Sequence, residues 1–169
     1  MKPSHIFLLV SIILVHFSCD EPSKVGLIHN TVLSFSGDFQ QPFTIDMDGL
    51  KAMPVQSVLG KDKDEQTYEF QGVWLRDLIQ KAGIEFGTGL KGKNQSQYIL
   101  TEASDGYKSV FSLPEIDPEF SGKQILVAYA RAGEPLGEGV GPFRIIVPEE
   151  NLHARWVRQL VSVKLVKIE

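Results

Sequence analysis

Side chains able to do chemistry are few in this chain. There is one cysteine, Cys19, among 169 residues, and there are four histidines. A single cysteine excludes a disulfide framework, and no Cys/His spacing matches a zinc site, so no metal ligand is assigned. No Ser-His-Asp set and no pair of carboxylates stands out by spacing for nucleophilic or acid–base work. The run Gly137-Glu138-Gly139-Val140-Gly141 has the glycine density of a phosphate loop. Such a loop needs a helix behind it, whereas Pro142 and a strand-like run follow here, so it reads as a hairpin connection. His153 has the chemistry to meet an anion, and equally the placement of a surface residue beside a turn.

Charge narrows the partners. The chain carries 17 Lys+Arg against 21 Asp+Glu, a net charge of −4. That balance argues against nucleic-acid binding, which needs a dense basic surface. The charge is uneven: residues 20–121 hold 9 basic and 16 acidic side chains, residues 122–169 hold 7 and 5. An anionic ligand is therefore most easily held in the C-terminal third. The alternative is an ordinary solvated surface.

The first residues read as an address. Lys2 precedes the apolar run Ile6 to Val15, then His16-Phe17-Ser18-Cys19. A basic start, a run of about ten apolar residues and a small residue before the break make a secretory signal. The run is too short to span a bilayer, which takes about 20 residues. A buried N-terminal helix is the alternative, but no polar face balances the run. Cys19 sits at the expected cut, and the segment resembles a lipoprotein signal, so Cys19 is the expected lipidation site. Plain secretion is the other option. The expected organisation is a signal peptide over 1–18, a lipid-anchored tether over 19–30 and one domain over 31–169. The expected location is the bacterial cell envelope or periplasm.

The elements that must position any site alternate irregularly. Short strands are predicted at residues 31–35, 43–45, 55–59, 68–70, 98–101 and 110–113. A short helix is predicted over 46–53 with Asp48 as its cap. The clearest helix spans 72–83, where Trp74, Leu75, Leu78, Ile79 and Ala82 form one apolar stripe and Gly83 stops it. Lys61 to Glu65 is a charged turn, 86–95 a loop, and Asp105-Gly106 a turn. Residues 125–130 and 143–147 are continuous apolar runs, as for strands buried on both faces. A long strand closes the chain over 160–167. Many strands with few helices give an α+β class with a mixed sheet.

Four blocks of the chain resemble the sulfite-oxidase-type molybdopterin-binding domain. They are Phe70 to Gly83; Ala103-Ser104-Asp105-Gly106-Tyr107 with Ser112-Leu113-Pro114; Ile125 to Tyr129 with Gly133 to Leu136; and Gly141 to Pro148 with Ala154-Arg155-Trp156-Val157-Arg158. The resemblance covers about residues 31–168. It implies a mixed-sheet α+β fold around a molybdenum pterin and makes molybdopterin the candidate cofactor. It also implies a cysteine thiolate on the metal, soon after the strand matching Val55 to Leu59. Gly60 to Thr67 occupies that stretch without a cysteine, and the chain is shorter there. Tyr107 matches the tyrosine on the substrate side of the metal, which makes it the candidate catalytic residue. Arg155 and Arg158 match basic residues near the cofactor phosphate, with His153 beside them. Arg144 matches a structural arginine. Tyr107 reads equally as a packed tyrosine, and the two arginines as a solvated face.

Two main functions follow as expectations, with a third beside them. One is a non-catalytic exported module that binds a small anionic ligand or an envelope protein in the former cofactor cleft. The other is an oxidoreductase that keeps the molybdenum pterin without a protein thiolate. A third is an assembly or redox-partner lipoprotein that uses only its surface.

Overall fold

The computed structural model describes residues 32–168. The expected signal peptide, tether and Cys19 lie outside them. Alternating apolar residues build two sheets rather than the single one expected. The first contains Leu33–Gly37 (β1), Phe43–Ile45 (β2), Gln97–Ala103 (β5), Lys108–Ser112 (β6) and Leu160–Lys167 (β10), in the order β2-β1-β10-β5-β6. β1 runs parallel to β10 and the other pairs are antiparallel, so this sheet is mixed. The second contains Gln56–Lys61 (β3), Thr67–Trp74 (β4), Leu126–Arg131 (β7), Glu134–Pro135 (β8) and Arg144–Ile146 (β9). It is antiparallel throughout, with β8 and β9 both on the far edge of β7. Gly137 to Gly141 therefore links two strands that each pair with β7, and is not a hairpin turn.

Both sheets feed one core. Leu33, Phe35, Phe111 and Leu165 from the first join Phe70, Val127 and Ile145 from the second in a single cluster. Full burial of each such side chain contributes about 1.5–3 kcal/mol. β7 is buried from Leu126 to Ala130, as its continuous apolar run implies. The Pro118–Ser121 (α4) and Leu113–Ile116 (α3) turns follow β6.

The main helix is shorter than its periodicity suggests. Leu75–Lys81 (α2) is helical, but Gly72 to Trp74 finish β4. A Cβ on Gly72 would lie 2.1 Å from the Val127 carbonyl oxygen, so the glycine lets β4 press onto β7. The Leu75 N–H donates to the Ile125 carbonyl at 2.8 Å, and sheet pairing overrides the helical pattern there. Leu75, Leu78 and Ile79 remain the buried stripe. The first helix, Met47–Lys51 (α1), is capped by Asp46 through the Gly49 N–H at 2.8 Å, not by Asp48.

One crossing segment matters most for function. Between β9 and β10 the chain leaves the second sheet and enters the first. The Ile145 N–H donates to the Val157 carbonyl and the Leu160 N–H to the Phe143 carbonyl, both at 2.9 Å. The Ser104 N–H donates to the Gln159 carbonyl, also at 2.9 Å. These bonds pin residues 153–159 beside the turn that follows β5.

Candidate functional site

A cleft of about 220 Å³ opens where three turns meet. Lys63 comes from the β3–β4 turn, Ala103 from the end of β5, Asp105 and Tyr107 from the turn that follows it, and His153, Ala154, Trp156, Val157 and Arg158 from the crossing segment. Three of the four site residues expected from sequence, Tyr107, His153 and Arg158, line it. Among the described residues neither Lys63 nor Arg158 has a carboxylate within ion-pair reach.

Trp156 forms the buried base. Its indole N–H donates to the Val147 carbonyl at 3.0 Å. Its ring meets Phe70 edge-on at 5.7 Å and lies 4.3 Å from the His153 ring. A Cβ on Gly60 would sit 2.8 Å from Trp156, so a glycine in β3 makes room for the indole. Tyr107 is half exposed, and its hydroxyl donates to the Ala154 carbonyl at 2.6 Å, tying two walls of the cleft together. Asp105 accepts the Tyr107 N–H at 2.9 Å through Oδ1, which closes the turn.

Arg155 lies outside the cleft lining. Its guanidinium donates to both oxygens of Glu115, at 3.0 and 2.6 Å, to Glu150, and to the Val110 carbonyl at 3.2 Å. It also lies over the Phe111 ring at 4.6 Å. The Arg155 hydrogen bonds hold the Glu115 carboxyl below its usual range against the opposing effect of burial, and Glu115 in turn raises Arg155. The planar fork suited to a phosphate is filled by the protein's own carboxylates.

Beneath the cleft lies a second ionic group. Asp62, in the charged turn after β3, and Arg144, at the start of β9, are 4% and 1% exposed. Arg144 donates to both Asp62 oxygens at 2.9 Å, and Arg131 adds a third bond at 3.0 Å. The Arg144 bonds come first among the causes that hold Asp62 well below the carboxylate range. Arg144 also lies over the Trp156 and Phe70 rings at 5.2 and 5.7 Å. Sequence reading gave Arg144 a structural role but missed Asp62, Lys63 and Trp156. The available signal was position: Asp62 and Lys63 fall in the stretch where the resemblance expects a thiolate.

These residues do not fit a thiolate-held molybdenum pterin. The lining offers ammonium, guanidinium, imidazole, phenol and carboxylate groups, none of them the soft sulfur ligand the resemblance implies. The one cysteine of the chain is Cys19, outside the described residues. Asp62, in the thiolate's stretch, is committed to Arg144. The cleft is also smaller than the roughly 300–1,000 Å³ common for cofactor-sized ligands. Among the described residues no group of three His, Cys, Asp or Glu side chains is placed to hold a metal.

The two sheets, few helices and crossing segment define an α+β domain of the sulfite-oxidase type. The chain matches the model of the oxidoreductase molybdopterin binding domain over residues 23–169, and it belongs to that family. Among solved structures it is similar to the sulfane dehydrogenase SoxCD from Paracoccus pantotrophus, with a TM-score of 0.63 and 16% identity. That match covers 79% of this chain and 37% of the SoxCD chain, and supports the fold. No curated protein matches the sequence.

Proposed function

We propose that this family member is an exported, lipid-anchored binding module whose cleft takes a small anion without redox catalysis. The observation that carries the reading is the contrast in donors. Lys63, His153 and Arg158 converge on one cleft that lacks a thiolate, while Arg155 is absorbed by Glu115 and Glu150. Export and anchoring rest on the apolar run Ile6 to Val15 and on Cys19 shortly after it.

Inorganic phosphate is the test anion. Calorimetric titration of the purified protein should show binding, and Arg158→Ala should weaken it about tenfold or more, as for one lost charge-assisted bond. Unchanged binding would remove the anion reading. Cys19→Ala should move the protein from the membrane to the soluble fraction of the envelope; a variant still sedimenting with membranes would contradict the anchor.

A second reading has Tyr107 and Arg158 in its favour, because both match family residues by resemblance and both line the cleft. It is a molybdenum pterin oxidoreductase that works without a protein thiolate. Molybdenum measured in protein purified from its native envelope decides between them. About one atom per chain supports the enzyme; none, in cells whose other molybdoenzymes are loaded, supports the binding module.

A further inference from the structure

The cleft is not uniformly basic. Lys63, His153 and Arg158 supply donors. The turn after β5 supplies the opposite chemistry. Asp105 spends Oδ1 on the Tyr107 N–H, and among the described residues Oδ2 accepts nothing. Tyr107 spends its proton on Ala154, so its oxygen offers only lone pairs. The rest of the lining is apolar: Ala103, Ala154, Trp156 and Val157.

A simple anion would use the donors and leave Asp105 without a partner. A ligand bearing a carboxylate and an ammonium would pair with both the basic and the acidic groups of the lining by charge complementarity. Size gives a second limit. An open cleft of about 220 Å³ suits a small molecule better than a large cofactor. An apolar side chain would cover Trp156 and Val157. We infer that the cleft binds a small free amino acid with an apolar side chain, its carboxylate on Arg158 and Lys63 and its ammonium on Asp105. This deepens the anion reading and rests on it.

L-leucine and 4-methylpentanoate, which is leucine without its ammonium, separate the two claims. In calorimetric titration of the full chain, leucine should bind at least fivefold more tightly than 4-methylpentanoate. Asp105→Asn keeps the turn acceptor and removes the charge. It should weaken leucine about tenfold while leaving 4-methylpentanoate equal or tighter, two changes of opposite sign that a folding defect does not produce. Arg158→Ala should weaken both. If 4-methylpentanoate matches leucine, or Asp105→Asn weakens both alike, the amino-acid assignment is overturned while the anion reading stands. If neither probe binds, the assignment is overturned, and phosphate binding then decides the anion reading separately.

Discussion

Arg155 and Arg158 stand three residues apart on one segment, yet they belong to different kinds of region. Arg155 sits in a closed ionic knot with Glu115, Glu150 and the Val110 carbonyl. Arg158 lines an open cleft and has no carboxylate partner among the described residues. The difference shows that residue type and spacing do not distinguish an arginine that holds the wall from one that can hold a ligand. What distinguishes them is whether the fold brings acidic side chains to the same point. α3 delivers Glu115, and the start of the crossing segment delivers Glu150.

The largest test concerns the buried support beneath both regions. Asp62→Ala leaves Arg144 with an unpaired charge and should cost about 3–5 kcal/mol, read from denaturant unfolding. A loss below about 1 kcal/mol would mean that Arg144 finds other solvation and that the pair does not hold the cleft floor. The same pair gives a pH dependence. Asp62 is held below its ordinary value, so the unfolded chain binds its proton more readily. Its contribution is full above the ordinary carboxylate range near 4 and drains as pH falls through that range and beyond. Asp62→Ala should flatten this acid limb; an unchanged limb would assign it to other carboxylates.

Arg155→Ala and Arg158→Ala break the comparison from its two sides. Loss of the Arg155 fork should cost about 2 kcal/mol of stability, from charge-assisted bonds that leave Glu115 and Glu150 facing each other. Phosphate affinity should change by less than about threefold, because the fork is not in the lining. Arg158→Ala should reverse the pattern, with stability within about 0.5 kcal/mol and affinity down about tenfold. If Arg155→Ala also removes phosphate binding while the fold survives, the knot is part of the site.

Much of this was legible in the chain. The continuous apolar runs placed β7 and β9, and the closing alternation placed β10. Ordered blocks of sequence picked out Tyr107 and Arg158, which line one cleft, and Arg155, which does not. The misreadings share a cause, which is that tertiary partners are not local. Gly72 looked like a helix start until β7 lay 2.1 Å from its Cβ position. The burial of Asp62 was hidden because its partners, Arg144 and Arg131, are 82 and 69 residues away in sequence. Arg155 looked available because Glu115 is 40 residues away. Charge patterns along the chain cannot reveal pairs closed by the sheet topology.

The smallest expected effect sharpens the comparison at the cleft wall itself. Tyr107 lines the cleft with Arg158, yet its hydroxyl is committed to a backbone carbonyl, as the guanidinium of Arg155 is committed to carboxylates. Tyr107→Phe removes one hydrogen bond between the two walls and keeps the ring. Stability should fall by about 1 kcal/mol, the usual net value of such a bond. Phosphate affinity should stay within about twofold, since the proton removed already had a partner inside the protein. A tenfold loss of affinity with the melting behaviour unchanged would show that the hydroxyl turns from Ala154 to the ligand. Tyr107 would then belong with Arg158, on the binding side of the boundary between ligand groups and wall supports.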